Sequence, residues 1–283
     1  IRLIKNSENV GFGIANNQGM AAATGEYILL LNSDTIIHPH AIRQSLLHLH
    51  ARRQSPATQR IALLGCEVLN ADGTHQASFW RGLADYRLSD AWRMGAQYNL
   101  WYTKLRDFFA RRRTAAAAPA AEPLPTRADA AQPYLVEGLY GAFVLMHRSV
   151  WEQTGGFDPD FFLYCEETDW FRTRIRPHFD IEYYPDVQIT HLGGQSGKHL
   201  TDVSLQGLAS YFLYWYKRGA ALYWVFIFST YCSVFSNLLL LPFASAYGRR
   251  RLLSLLRLLP LALWGIPRYG RKFASRPRFL KLK

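Results

Sequence analysis

Residues 27–35 read Tyr27-Ile28-Leu29-Leu30-Leu31-Asn32-Ser33-Asp34-Thr35, an apolar run that stops abruptly at polar side chains. A run of this kind, without polar alternation, is typical of a parallel strand that is buried on both faces. In open α/β sheets, ligand sites form beyond the carboxyl ends of such strands. The stretch therefore predicts an α/β fold with a candidate site at Asn32 and Asp34.

Predicted strands and helices alternate on both sides of this run. The hydrophobic pattern predicts further strands at 2–4, 61–68, 143–146, 181–184 and 187–190. Helices are predicted at 11–24, 40–52, 149–154 and 166–175. The pattern indicates a catalytic domain over residues 1–202. An Ala/Pro-rich stretch at about 111–132 cannot bury enough apolar surface to order itself and is predicted to be a mobile insertion in this domain.

The net charge of +12 is unevenly distributed along the chain. All 21 acidic residues lie at or before Asp202, whereas 13 of the 33 Lys and Arg residues follow it. Residues 1–202 are therefore nearly neutral, with 20 basic and 21 acidic side chains. Because the positive excess lies in an apolar segment, the charge favours attraction to anionic lipid and argues against binding to nucleic acid.

Residues 203–283 are predicted to form a basic, apolar helical tail that contacts a membrane. No charged side chain occurs between Gly219 and Gly248, and basic residues flank this span on both sides. An apolar stretch of about 20 residues suffices to cross a bilayer. The alternative is a buried helical hairpin that packs on the catalytic domain.

The three cysteines, Cys66, Cys165 and Cys232, are odd in number and widely scattered. They show the spacing of neither a disulfide framework nor a zinc site, so we expect a reducing, cytoplasmic environment. The chain opens at Ile1 inside an apolar alternation. We therefore expect its natural start to lie upstream, with the first strand missing.

A second candidate cluster contains Glu166, Glu167 and Asp169, which follow an aromatic segment. Mutual repulsion and loss of solvent both raise the pKa of a carboxyl group and suit one of them to act as a general base. On a helix, Glu166 and Asp169 would share a face and Glu167 would point elsewhere. The alternative is a solvated helix N-terminus, where acidic residues interact favourably with the helix dipole.

A third candidate is His191, which follows a predicted strand and precedes two glycines. Its imidazole could bind a metal ion, and the glycines would allow the main chain to approach a phosphate. The carboxylate of Asp34 could likewise bind Mg²⁺ or Mn²⁺. Each signal is weak by itself, since a single histidine is more often structural and an Asn-Ser-Asp sequence also forms ordinary turns.

The order of the motifs is more specific than any one of them. The first half of the chain carries Asn9-Val10-Gly11-Phe12-Gly13, Asn16-Asn17-Gln18-Gly19, Gly25-Glu26-Tyr27 and Leu30-Leu31-Asn32-Ser33-Asp34-Thr35. The second half carries Gly141-Ala142-Phe143, Gly155-Gly156-Phe157-Asp158, Phe161-Phe162-Leu163-Tyr164-Cys165-Glu166-Glu167-Thr168-Asp169 and His191-Leu192-Gly193-Gly194. In this order the motifs resemble the large GT-A family of inverting glycosyltransferases, in its rhamnosyltransferase-like branch.

The resemblance implies a GT-A fold of the nucleotide-diphospho-sugar transferase, Rossmann-like type. The sheet would be mixed with helices on both faces, the N-terminal strand would be missing, and apolar helices would follow at the C-terminus. Asn32 falls at the first position of the family's Asp-x-Asp metal motif, which leaves Asp34 as the main ligand of Mg²⁺ or Mn²⁺. His191 is implied to help bind the metal and the diphosphate.

The resemblance also implies roles in donor binding and catalysis. Asn17 and Gly141 are implied, with Asn32 and Asp34, to bind the donor, and Gly141 would also leave room for the acceptor. Glu167 falls at the position of the general base. Glu166 and Asp169 stay candidates for this role, because the family usually has an aspartate at the position of Glu167.

The function expected from the sequence is therefore a metal-dependent, inverting glycosyltransferase. We expect rhamnose from dTDP-rhamnose as the transferred sugar and a cell-surface glycan or polyprenyl-linked acceptor. The expected location is the cytoplasmic face of the inner membrane, with a nucleotide-sugar donor and no nucleic acid as partner. The alternative is a non-catalytic, membrane-attached protein that retains the fold and binds glycan or lipid.

Overall fold

The computed structural model describes residues 2–80, 87–96, 132–193 and 203–239, together with Leu256, Leu259, Pro260 and Leu263. The Ala/Pro-rich insertion predicted at 111–132 lies outside the described residues except for Gln132.

The chain divides into two compact units, residues 1–82 with 124–201 and residues 83–123 with 202–283. Residues 83–123, which the sequence analysis assigned to the catalytic domain, thus group with the C-terminal segment. The boundaries of the catalytic domain at 1–202 and of the tail at 203–283 stay predictions.

The described elements are numbered here along the chain. The helices are α1 (Phe12–Ala22), α2 (Ala41–Gln54), α3 (Leu88–Ala96), α4 (Arg148–Thr154), α5 (Glu166–Trp170), α6 (Val203–Arg218) and α7 (Ala220–Leu238). A π-helical turn at Phe171–Ile175 continues α5. The strands are β1 (Tyr27–Leu31), β2 (Thr35–Ile37), β3 (Ile61–Leu69), β4 (His75–Gln76), β5 (Phe79–Trp80), β6 (Tyr134–Val136), β7 (Gly138–Leu139), β8 (Phe143–His147) and β9 (Asp180–His191).

The first unit is built on a mixed sheet in the order β1-β8-β3-β9-β2. Strands β3 and β9 are parallel, and the other neighbours along this order are antiparallel. Strand β4 adds to β3 and β6 adds to β9, while β5 and β7 form a separate two-stranded sheet. The predicted mixed α/β fold is confirmed.

The core lies on both faces of this sheet, because successive strand residues point in opposite directions. Val144 and Met146 of β8 belong to a cluster that contains Trp170 of α5. Phe143 and Leu145 belong to a second cluster, on the side of α2. The central strand β3 is buried from Ile61 to Val68. Helices therefore cover both faces, as the sequence predicted.

The direction of β1 differs from the prediction. Strand β1 forms where it was expected, but it pairs antiparallel with β8, with Leu31 opposite Phe143. Its burial alternates along the strand rather than being complete. An apolar run indicates that a strand is buried, but it does not indicate whether the neighbouring strand runs parallel or antiparallel.

Two other strand predictions are wrong in detail. Residues 2–4 form no strand, and Leu3 is 83% exposed, since within the described residues nothing pairs with this short segment. The strands predicted at 181–184 and 187–190 are one strand, β9, with a bulge around Pro185. Because proline has no N–H to donate, the chain loops it out of the ladder and then resumes pairing.

The second unit consists, in its described part, mainly of α3, α6 and α7. Both α3 and α6 pack against α7. The contact between α3 and α7 is close, since a Cβ added to Gly95 would lie 2.7 Å from the Cβ of Ser229. Among the described residues, α7 is the one helix that is long and apolar enough to cross a membrane, a criterion that buried helices of soluble proteins also meet.

Candidate active site

The three polar residues predicted for the site lie close together, where β1 ends, β2 begins and β9 ends. Antiparallel pairing of β2 with β9 places Thr35 opposite His191. This brings Nε2 of His191 to 3.2 Å from Oδ1 of Asp34 and to 3.2 Å from Nδ2 of Asn32. The side chains of Asp34 and His191 are only 12% and 16% exposed. The structure therefore assembles Asn32, Asp34 and His191 into one partly buried cluster, here called the metal edge.

A residue that the sequence analysis missed completes the metal edge. Oε1 of Gln76 lies 2.7 Å from Nδ1 of His191, on the side of the ring away from Asp34. Gln76 lies in β4, which pairs with β3 through a hairpin containing Asp72 and Gly73. An Asp-Gly pair after a predicted strand is a hairpin signal, and it could have indicated that this segment returns along β3.

The possible metal ligands in the metal edge fit a divalent cation whose coordination is completed by other ligands. Within the described ranges, no group of three or more His, Cys, Asp and Glu side chains is arranged to hold a metal ion. Asp34 and His191 offer one carboxylate and one imidazole. Mg²⁺ in phosphate-binding sites commonly takes one or two carboxylates and fills its other positions with water and phosphate oxygens. Mn²⁺ accepts the same oxygen ligands and also an imidazole nitrogen.

The metal edge is connected through the main chain to the acidic cluster. The N–H of Asn32 donates to the carbonyl oxygen of Ala142 at 3.2 Å. The preceding residue, Gly141, lies against Glu167, because a Cβ added to Gly141 would be 2.8 Å from Oε1 of Glu167. Gly141 therefore lies beside the candidate base, while its predicted contact with the donor stays a prediction.

The carboxyl groups of the acidic cluster lie in different surroundings. Glu166 is 1% exposed, and among the residues that the structure describes its Oε2 has no hydrogen-bond partner. Asp169 is buried and lies 3.7 Å from the guanidinium of Arg174. Glu167 is partly exposed and faces Gly141. The alternative of a solvated helix N-terminus therefore does not hold for Glu166 and Asp169.

Burial changes the proton affinity of both neighbouring glutamates. It raises the pKa of Glu166 well above its ordinary value, and the charge of Glu167 raises it further. Close packing of protein atoms around Glu167 raises its pKa to about 7, although hydrogen bonds from the main chain of Glu167 and Gly141 oppose this shift. The raised pKa of Glu166 favours its protonated form, and Glu167, with a pKa of about 7, is poised to take up or release a proton near neutral pH.

The segment before α5 adopts an unusual backbone conformation. Tyr164 and Cys165 have φ angles of 70° and 69°, in the left-handed region that residues other than glycine rarely adopt. Phe161 and Phe162 before them are buried, and so is Trp170 after them. Packing of these rings on both sides holds the turn in place, and the turn determines where Glu167 points.

Helix α1 docks against the same segment through its small residues. The N–H of Phe12 donates to the carbonyl oxygen of Phe162 at 2.9 Å. A side chain at Gly11, which has a φ of 90°, would clash with that oxygen. Asn17 bonds the main chain of Phe157 with both ends of its amide, at 2.8 and 2.9 Å. The contact of Asn17 with a donor sugar stays a prediction.

The first half of the chain matches a known protein family. Residues 1–154, just over half of the chain, match the sequence profile of Glycosyl transferase family 2. The chain belongs to glycosyl transferase family 2. The matched region contains Asn17, Asn32, Asp34 and Gly141, and it ends before Glu167 and His191. No curated protein sequence gives a significant match.

Two solved structures are similar to this family 2 chain at low identity. One is the mannosyltransferase PcManGT from Pyrobaculum calidifontis in complex with GDP-Man and Mn²⁺, at 15% identity and a TM-score of 0.43, covering 100% of this chain and 70% of that one. The other is GalNAc-T7 with UDP, GalNAc and Mn²⁺, at 14% identity and a TM-score of 0.42, covering 75% of this chain and 36% of that one.

The bonds of Asn17 predict a loss of stability when its amide is removed. Asn17→Ala leaves the N–H and the C=O of Phe157 without partners and should lower the free energy of unfolding by about 1–3 kcal/mol. The matched control is Asn16→Ala, because Asn16 lies on the same helix and its amide donates to the helix's own Phe12 carbonyl. We expect the control to change stability by less than about 1 kcal/mol in urea unfolding. Equal stability of the two variants would contradict the assigned role.

Proposed function

We propose that the protein transfers a sugar from a nucleotide-diphosphate donor to a hydroxyl group of a glycan or polyprenyl-linked acceptor, with inversion. The observation that carries this proposal is the connected path from the metal edge through Ala142 and Gly141 to Glu167. This path supports the proposal that a diphosphate binds near a base with a raised pKa. Displacement at an anomeric carbon is promoted by both of these functions.

The proposed reaction is a single displacement. Glu167 accepts the proton of the acceptor hydroxyl, and the hydroxyl oxygen forms its bond to the anomeric carbon from the face opposite the diphosphate. The bond between that carbon and the diphosphate oxygen breaks, and the nucleoside diphosphate leaves with the electron pair. A Mg²⁺ or Mn²⁺ ion held by Asp34 and His191 would supply positive charge for the diphosphate.

Glu167 is favoured over its two neighbours as the base because of its access to solvent. Glu166 is almost fully buried, and Asp169 lies beside Arg174 in the interior. Both carboxyl groups are therefore shielded from a substrate hydroxyl in this structure. Glu167 is the only one of the three that combines partial exposure with a position against Gly141.

The acceptor is proposed to bind against two tyrosine rings near Glu167. Tyr140 and Tyr164 are 47% and 38% exposed. Both lie close enough for the charge of Glu167 to add to burial in raising the pKa of their hydroxyl groups. Exposed aromatic rings offer an apolar face with a polar edge, which suits the alternating C–H and O–H groups of a sugar. As the donor we propose dTDP-rhamnose, from the resemblance of the motifs.

The second unit is proposed to bind a membrane through α7. Large apolar side chains are exposed along this helix, at Trp224, Phe228 and Phe235, and just beyond it at Leu239. The buried face also carries large apolar residues, at Tyr223, Phe226, Ile227 and Val234, together with the small and polar Ser229, Thr230, Ser233 and Asn237. A helix that is apolar all round is either buried in a protein core or spans a membrane. The exposed aromatic rings favour the membrane for α7.

The charge of the C-terminal segment supports the same proposal. It contains 13 basic residues and, after Asp202, no acidic one. A cluster of positive charge next to an apolar surface binds anionic lipid and is typical of the cytoplasmic side of a membrane. We therefore propose that the enzyme works at the cytoplasmic face of the inner membrane.

Donor hydrolysis tests the proposed function. Membranes containing the protein should release one nucleoside diphosphate from a panel of UDP-, GDP- and dTDP-sugars when Mg²⁺ or Mn²⁺ is present. Asp34→Ala should abolish this release, and Leu47→Ala, at an exposed position of α2, should leave it unchanged. A folded protein that neither binds nor hydrolyses any donor, with an acceptor extract added, would support the non-catalytic alternative.

The raised pKa of Glu167 predicts the pH dependence of transfer. The base must be deprotonated, so kcat/KM should rise with pH up to about 7, where the carboxyl group titrates, and level off above it. Glu167→Gln should lower kcat by about 10²–10⁴-fold while donor affinity, measured by calorimetry, is retained. Glu166→Gln, an amide of similar size at the buried neighbouring position, should lower kcat by less than about tenfold. Similar losses in the two variants would argue against Glu167 as the base.

The exposed apolar side chains of α7 predict binding to vesicles. The full chain should float with vesicles that contain anionic phosphatidylglycerol. Phe228→Asp combined with Phe235→Asp should reduce the bound fraction by at least about tenfold, because each Phe side chain buried in lipid contributes roughly 1.5–3 kcal/mol to the binding free energy. The control is Leu47→Asp, which places one negative charge at an exposed apolar position of the first unit. Equal flotation of all three proteins would exclude α7 as the contact.

A further inference from the structure

A short hairpin holds the second nitrogen of the His191 ring. Strands β3 and β4 pair with Val68 opposite Gln76, and the turn between them is fixed by Asp72, which accepts from both the N–H and the hydroxyl of Thr74. The hairpin places Oε1 of Gln76 at 2.7 Å from Nδ1 of His191. Gln76 comes from a sequence position 115 residues away from the histidine that it contacts.

The hydrogen bonds of the hairpin determine which end of the Gln76 amide faces the histidine. Nδ2 of Asn70 lies 3.3 Å from the carbonyl oxygen of His75, which can only accept, and 2.9 Å from the hydroxyl of Thr74. The amide of Asn70 is thereby oriented with its Oδ1 toward Gln76. Nε2 of Gln76 donates to that oxygen at 3.0 Å. Oε1 of Gln76 therefore faces His191 as an acceptor.

An acceptor at this position selects one tautomer of the imidazole ring. Nδ1 of His191 must carry the proton that is donated to Gln76, so Nε2 of the neutral ring carries a lone pair. Nδ2 of Asn32, a donor at 3.2 Å, agrees with this assignment because it faces Nε2. Oδ1 of Asp34 also lies 3.2 Å from Nε2. A lone pair and a carboxylate oxygen thus converge on one point, where a cation would be attracted to both.

We propose that Gln76 is a positioning residue that holds the His191 ring in its Nδ1–H tautomer, with Nε2 directed at the point shared with Asp34. The part of this proposal that concerns metal affinity rests on the proposed function. The part that concerns the tautomer rests on the hydrogen bonds alone. Histidine ligands in metalloproteins commonly donate their other ring N–H to such a partner, and loss of the partner weakens metal binding by about 10–100-fold.

Nuclear magnetic resonance of the imidazole nitrogens tests the tautomer without metal. The full chain is labelled with ¹⁵N-histidine and studied in detergent at about pH 8, above the ordinary pKa of imidazole. The signals of His191 are identified by their absence in His191→Ala. We expect Nδ1 in the protonated and Nε2 in the unprotonated part of the nitrogen shift range. Gln76→Leu should move both toward the average of the two tautomers, and Gln76→Glu, which keeps an acceptor, should not.

Manganese binding tests the consequence for affinity. Free Mn²⁺ is measured by electron paramagnetic resonance during titration of the protein with Mn²⁺, alone and with pyrophosphate. Pulsed spectra report the coupling of a bound imidazole nitrogen. Gln76→Leu should weaken Mn²⁺ binding by about 10–100-fold and reduce this coupling, while Gln76→Glu should stay within about tenfold of the unchanged protein. Circular dichroism and thermal melting show whether each variant is folded.

The outcomes separate the two parts of the proposal. An Nε2–H tautomer in the unchanged protein, or nitrogen shifts and Mn²⁺ affinity that Gln76→Leu does not alter, would overturn the role of Gln76. If the tautomer responds to Gln76→Leu but Asp34→Ala binds Mn²⁺ as well as the unchanged protein does, the metal in the proposed function is wrong and Gln76 still orients the ring. If Gln76→Leu unfolds at a lower temperature than the unchanged protein, the test rests on the folded Gln76→Glu variant. Unchanged nitrogen shifts and Mn²⁺ affinity in Gln76→Glu support the role of Gln76, and altered ones overturn it.

Discussion

The parallel pairing of β3 with β9 is the constraint on which the metal edge depends. At the carboxyl end of this pair, Val68 lies opposite Ile189, so the two strands finish side by side. From there β9 supplies His191, and the hairpin after β3 supplies Gln76. Strand β2 then pairs with β9 and brings Asp34 to the same histidine. Because side chains alternate along a strand, a shift of one residue in this register would turn His191 to the opposite face of the sheet.

The two halves of the candidate site are built in different ways. In the metal edge, Asn32 and Asp34 lie in the tight turn between two paired strands, His191 ends β9 and Gln76 lies in β4, and the side chains bond one another. Glu167 instead lies on a short helix, after a turn with two left-handed residues, and its direction depends on aromatic packing around Phe161 and Trp170. Gly141 joins the halves, since it is the position at which the main chain of one approaches the carboxylate of the other.

Local sequence patterns were sufficient for much of the fold. The apolar run at Tyr27–Leu31 and the buried segment at Ile61–Leu69 form strands where they were expected, and α1, α2 and α4 lie within a few residues of their predicted positions. The direction of β1 could not be predicted, because it depends on which strand lies beside it. The continuity of β9 through Pro185 could not be predicted either, since the bulge exists only against a partner strand.

The candidate site was predictable to a different extent. The order of the motifs indicated Asn32, Asp34 and His191 as one group, and the structure places them within hydrogen-bonding reach of one another. The individual surroundings of Glu166, Glu167 and Asp169 were not predictable from their spacing, because burial depends on residues far away in the chain. Gln76 was missed for the same reason. Its function depends on a contact with a residue in another strand, and a hairpin turn alone does not identify that residue.

The separate construction of the two halves has an evolutionary consequence. Side chains that bond one another constrain each other's replacement, whereas exposed loop residues tolerate change better. Under the proposed function, substitutions around Tyr140 and Tyr164 would alter the acceptor while Asn32, Asp34 and His191 keep their role toward the leaving group. Diversity among the glycans made by such enzymes would then arise mostly from one half of a shared scaffold.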